Sequence, residues 1–173
     1  MLALLALGAF VHVAAADALD DPFISLFGTT CFSQYTNLGG LSSNLQRDNF
    51  SELTGMAAKP FLGNGIGRVW TSSFQSYLYA IAVRDDGVCA VFAQRVLPER
   101  AKERFKATFS SGPSPMKSQE IQVLSPNSTT QTISYAWFSP GSDNQIQFTL
   151  TIVNDAAADI QAMVSMARVR RVP

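Results

Sequence analysis

Histidine is almost missing from this chain: the one copy, His12, lies in an apolar stretch at its start. Beyond that stretch no imidazole is present. This excludes Ser-His-Asp and Cys-His catalysis, histidine-ligated zinc and a histidine proton switch. Cysteine is scarce too. Cys31 and Cys89 are the only two, and in an oxidising compartment such a pair is expected to form a disulfide. With both thiols engaged, zinc and haem find almost no ligands. Only carboxylates, lysine, tyrosine and hydroxyls remain for chemistry, and we expect no metal, no cofactor, no catalytic residue and no enzyme activity. An excess of either charge is lacking as well. Lys plus Arg and Asp plus Glu each number 13, so no bulk field draws nucleic acid or an anionic membrane. After residue 16 no apolar run approaches the about 20 residues that a membrane-spanning helix needs.

What is present begins with an apolar segment, Met1 to Ala16, too short to cross a bilayer and ending in small Ala14 and Ala16. It reads as a secretory signal peptide with cleavage before Asp17, a site after Ala18 being nearly as good. No Lys or Arg precedes the apolar run, so the amino group of Met1 would supply the charge, or the true start lies upstream. Residues 17–173 are then expected as a single globular domain in the bacterial periplasm, large enough for a real core and without a transmembrane segment.

Phe23, Ile24, Phe27 and Cys31 share one helical face within Asp20 to Tyr35. Asp20 or Asp21 is placed to cap this helix, Pro22 suits its first turn, and Gly39-Gly40 is expected to break it. A second helix is expected from Asn49 or Ser51 to about Ala58, stopped before Pro60. From Arg68 the period changes to two. Arg68 to Ser72 reads as a strand, and Tyr77 to Arg95 reads as a hairpin turning at Asp85-Asp86-Gly87. That hairpin sets Cys89 just after its turn, within reach of Cys31 on the first helix. Pro98 to Lys106 is rich in helix formers and opens on proline. Strands follow at Gln119 to Leu124, Thr130 to Phe138 and Gln145 to Val153, the last two joined by a turn at Pro140 to Asn144. Ile160 to Val169 fits either an edge strand or a helix, and the preceding sheet favours the strand. No internal repeat is visible. The expected class is α+β, with an antiparallel sheet of about five to seven strands, N-terminal helices and one short mid-chain helix.

Several constellations mimic sites. Gly63, Gly65 and Gly67 have the glycines of a nucleotide loop, but a strand follows where a helix is required. Asp85 and Asp86 are turn residues, and Glu99, Glu103 and Glu120 are not placed as a facing pair of the kind glycosidases use. Asn127-Ser128-Thr129 is a formal glycosylation acceptor, read in a bacterial setting as a turn. The basic stretch Arg168 to Arg171 reads as a solvated end. The most promising segment is a serine-proline loop, with Ser110, Ser111, Gly112, Pro113 and Ser114 as candidate partner-binding residues. Small hydroxyls on a proline-stiffened loop enter a narrow groove at low entropic cost.

The leader, the helix bearing Cys31, the Gly-Arg-Val-Trp strand (Gly67 to Trp70) and the Asp-Asp-Gly-Val-Cys-Ala-Val-Phe-Ala hairpin (Asp85 to Ala93) resemble small bacterial periplasmic proteins with one disulfide. That resemblance covers most of residues 20–95 and brings no activity with it. A weaker one is to periplasmic immunity proteins, which protect a bacterium from its own type VI secreted cell-wall-degrading effectors. It implies a non-catalytic inhibitor of a peptidoglycan amidase or lipase, and some such proteins block a Cys-His site with a loop of small polar residues. Ser110-Ser111 would be the equivalent here. The competing expectation is an envelope-associated structural or interaction protein without inhibitory activity.

Overall fold

The computed structural model describes residues 21–48, 50–74, 77–121 and 129–171; the segment read as a leader, residues 122–124 of the strand expected at Gln119 to Leu124, and Asn127-Ser128 of the formal acceptor lie outside them. The first helix, α1 (Pro22–Phe27), starts where expected. Asp21 is extended, and its Oδ1 accepts from the Ile24 N–H at 2.9 Å. Pro22 occupies a position that needs no N–H. The chain does not continue to Tyr35 as α-helix. It widens into a π-helical turn, Gly28–Phe32, in which hydroxyls bond carbonyls one turn back. Thr30 Oγ1 donates to Leu26 O and Ser33 Oγ to Thr29 O, each at 2.6 Å. These side chains supply partners where the main-chain ladder is respaced. The turn carries Cys31 onto the sheet, where it is disulfide-bonded to Cys89 across 58 positions of sequence.

Gly39-Gly40 does not break a helix. Both residues lie in the first turn of α2 (Leu38–Arg47), where Asn37 Oδ1 accepts from the Gly40 N–H at 3.1 Å. A Cβ on Gly40 would stand 2.6 Å from the Asn37 side chain, so glycine lets the cap close, and the cap outweighs low helix propensity. The helix expected up to Ala58 is absent as well. Ser51–Leu53 is a short strand, β1; Gly55–Ala57 is a 3-10 turn; Lys59–Leu62 is a short helix, α3. Gly55 has φ 61°, which a right-handed helix does not admit, and β1 owes its conformation to pairing with a later strand.

The remaining elements are β2 (Gly67–Phe74), β3 (Tyr77–Arg84), β4 (Cys89–Ala93), α4 (Pro98–Phe109), β5 (Lys117–Ile121), β6 (Thr130–Phe138), β7 (Asn144–Val153) and β8 (Ala162–Arg170). They build one 8-stranded sheet, antiparallel throughout, in the order β1-β2-β3-β4-β8-β7-β6-β5. The expected strand range is exceeded by β1, which lies in a stretch read as helix, and the total reaches eight. Ile160 to Val169 does contain a strand, but it is central, not an edge: β8 pairs with β4 on one side and β7 on the other. The order also contains a repeat of topology that the residues do not announce. Two four-stranded meanders, β1 to β4 and β5 to β8, each preceded by helix, meet with their last strands side by side.

Register explains the core. One row across the sheet reads Trp70, Ile81, Val91, Val164, Leu150, Ile133, and the next reads Arg68, Val83, Cys89, Met166, Phe148, Tyr135. These rows face α1, the π-turn, α2 and α4, whose Phe23, Phe27, Leu41, Leu45, Phe105 and Phe109 complete the buried cluster. On the opposite face α3 covers the first meander, with Phe61 edge-on to Phe92 at 5.2 Å and packed with Val69, Ala80 and Ala82. The second meander carries polar residues on that face, among them Ser134 and Thr149, whose hydroxyls are 2.9 Å apart.

Candidate partner-binding site

The serine-proline loop begins where α4 ends, and its base is fixed. Phe109 is fully buried. Its carbonyl accepts two hydrogen bonds, from Ser118 Oγ at 2.9 Å and from Trp137 Nε1 at 2.8 Å. Ser118 lies on β5 beyond the loop, so one carbonyl ties the loop's entrance to its exit. Within it, the Met116 N–H donates to Pro113 O at 2.7 Å and closes a turn. The Ser110 N–H donates to Lys106 O at 3.0 Å and ends the helix. Ser110, Ser111, Pro113 and Ser114 are exposed, while Gly112 is half-buried. Gly112 has a packing role: a Cβ there would lie 3.2 Å from Met116 O. The five candidate residues therefore form one surface turn on a rigid base, with four of them presented to solvent.

Met116, at the end of this turn, is also one wall of a groove of about 470 Å³ at the end of the sheet. Its floor follows a register row, Arg168 to Ile146 to Trp137, which continues beyond the groove to Ser118. Three strand spacings, about 14 Å, thus separate the loop's anchor from an arginine. Arg168 and Arg170 continue the inward-facing positions of β8 past Met166, beyond the end of the core. The Arg168 guanidinium lies 5.7 Å from the centre of the Tyr35 ring, just after the π-turn, and Arg171 stands 4.0 Å over Phe138 on the other face. Arg168, Arg170 and Arg171 are exposed, as expected of a solvated end, and two of them also lie against aromatic rings. Arg168, Arg170 and Tyr35 were legible only in part. Alternation on a strand puts the two arginines on one face, but nothing local places Tyr35 beside them.

The other constellations resolve into structure. A Cβ on Gly67 would meet Val83 O at 2.3 Å, so that glycine permits close strand pairing; Gly63 takes φ 58° in the preceding turn. Asp86 is paired with Arg84, whose hydrogen bond holds its carboxyl below the usual range. The Asp85 N–H donates to Ile66 O at 2.9 Å. Glu99 pairs with Lys102 on α4. Burial, and then the Glu120 carboxylate, push the Tyr135 hydroxyl upward. Among the described residues, no group of three or more His, Cys, Asp or Glu is placed to hold a metal. No helix among them is long and apolar enough to cross a membrane.

Fold and site together define a disulfide-tied α+β protein with one antiparallel sheet, a projecting serine-proline turn and an arginine-walled groove beside it. No protein-family model, curated protein or solved structure matches the chain.

Proposed function

We propose that this chain is a non-catalytic binding protein of the bacterial periplasm, an immunity protein that inhibits a cell-wall-degrading effector by occluding its active site. The observation that carries this reading is the loop. Four of its candidate residues are exposed on a turn pinned at both ends to one buried carbonyl. A projecting element that is already ordered loses little conformational entropy on docking. Its small neutral hydroxyls suit a narrow polar cleft such as that of a peptidoglycan amidase or lipase. The apolar leader supports export, and the lack of histidine after residue 16 fits a role without catalysis.

The test is capture of periplasmic partners with the purified protein, followed by titration against the captured enzyme. Replacing Ser110 and Ser111 together by Glu adds charge and volume at the tip. Affinity should fall by about 2 kcal/mol or more, as at a central hot spot, and the circular dichroism spectrum should be unchanged because the residues are exposed. An unaltered affinity would remove the loop from the mechanism. Failure to capture any enzyme would favour an envelope-associated structural protein instead.

A further inference from the structure

We infer that the groove beside the loop is a second binding site, for an extended acidic peptide segment of a protein partner. The chain as a whole is neutral, with 13 residues of each sign, yet its charges are not evenly spread. The end of the sheet that bears the groove carries Lys117, Arg168, Arg170 and Arg171 against the carboxylates of Asp143 in the β6–β7 turn and Asp85 in the β3–β4 turn, the Asp86 carboxylate beside it being held by Arg84. The other arginines on the strands are ion-paired: Arg68 to Glu52 at 2.6 Å, and Arg84 to Asp86. Among the described residues Arg168, Arg170 and Arg171 have no such pair.

Geometry selects the ligand. Arg168 and Arg170 are two residues apart on a strand and project from the same face, so their Cα atoms stand roughly 7 Å apart. An extended peptide repeats its own side chains on one face at the same interval, so carboxylates at alternate positions meet both guanidinium groups. Arginine suits this role because its planar fork accepts a carboxylate with two parallel bonds. Contact with the Tyr35 ring restricts Arg168 before any ligand arrives. Between the arginines and the loop, Ile146 and Trp137 give an apolar floor for the peptide's intervening side chains. The concave shape favours a peptide over a flat membrane surface, and the absence of net positive charge disfavours a nucleic acid.

The inference deepens the binding-protein reading and rests on it, but its test is separable. The probe is a fluorescent peptide of sequence Glu-Val-Glu-Val-Glu, with Gln-Val-Gln-Val-Gln as its neutral counterpart and phosphatidylglycerol vesicles as the anionic surface. The purified protein should bind the acidic peptide at least about tenfold more tightly than the neutral one, and the preference should shrink as salt is raised. The double substitution R168Q/R170Q should abolish the preference, whereas R168K/R170K should keep part of it. Should the double variant fail to fold, R170E alone, at an exposed position, should abolish the preference. Equal binding of the two peptides, no binding of either, or an undiminished preference in a folded R168Q/R170Q protein would overturn the proposal. So would vesicle binding that exceeds peptide binding and needs the same arginines, which would assign the groove to a membrane. The assay contains no enzyme, so its failure condemns the groove alone; failed enzyme capture condemns the inhibitor reading alone.

Discussion

Trp70 and Trp137 stand on the same face of one sheet, both buried in the same core, and differ by one hydrogen bond. Trp137 Nε1 donates to Phe109 O, the carbonyl on which the serine-proline loop hangs. Trp70 is 0% exposed, and its Nε1 has no hydrogen-bond partner among the described residues; Arg68 lies over its ring at 5.0 Å. Replacing either by Phe removes the same atoms and leaves a similar void. The polar contributions have opposite signs. At Trp137 a bond worth about 1 kcal/mol is lost, while at Trp70 a desolvated donor costing about 1–3 kcal/mol is removed. Trp137→Phe should therefore be the more destabilising of the two in urea denaturation, although Trp70 is the more deeply buried. A larger loss at Trp70 would mean that its packing outweighs its unmet donor. The same residues show what a sequence conveys at this scale. Ser110, Ser111, Pro113 and Ser114 announce an exposed turn by composition, and the turn is exposed. The partners of Trp137 and Arg168 lie 28 residues and a whole sheet away, and no local pattern encodes them.

Among the elements, the π-turn and β4 are joined by the bond between Cys31 and Cys89. Cys89 sits mid-sheet, opposite Val83 on one side and Met166 on the other. Phe32, on the π-turn, packs edge-on against Phe109, Trp137 and Phe148 at 5.5–5.7 Å. The bridge therefore holds in place the helical lid of the aromatic core. Closing a loop of 58 positions removes denatured-state entropy worth ~4 kcal/mol in the chain-entropy model. Cys89→Ser should lower the stability by a few kcal/mol, read as a lower urea midpoint, and reduction of the unsubstituted protein should have a similar effect. Equal midpoints would show that ring packing alone holds the lid. Elements whose cause is local were readable. The β6 bounds agree with expectation at both ends, the hairpin from Tyr77 is present with its returning strand shortened to Cys89–Ala93, and α4 opens on Pro98 but runs on to Phe109. Elements whose cause is non-local were not. β1 is a strand because β2 offers an edge, and β8 is central because two meanders converge on it. The same apolar alternation serves an edge or a centre, so pairing decides what periodicity leaves open.

At the scale of the whole molecule, the repeat of two meanders raises the question of whether the halves unfold separately. Their sheets join through a single pairing, β4 with β8, over Cys89↔Met166 to Ala93↔Ala162. A pairing of five positions would be a weak hinge if each half had its own core, but the core is shared. One buried cluster runs from Trp70 and Ile81 in the first meander to Phe148, Leu150 and Ile152 in the second, and α1 and α4 pack into it together. Separating the halves would expose that cluster, so the transition should be all-or-none, as for a single cooperative unit. Val164 is the place to test it. It is fully buried on β8 and lies between Val91 of the first meander and Leu150 of the second. Val164→Ala removes two buried methyl groups and should cost roughly 2 kcal/mol, from transfer plus a small residual cavity. Cooperativity predicts how that loss is distributed. In native-state hydrogen exchange, the slowest amides of β3 and of β7 should lose protection by the same free energy, although they lie on opposite sides of the substitution. Exposed, apolar Leu78 near the start of β3 is a useful contrast: Leu78→Ala should leave the slowest amides of both strands unchanged. If Val164→Ala weakened β7 while β3 kept its full protection, the meanders would be separate folding units and the shared core would not bind them into one.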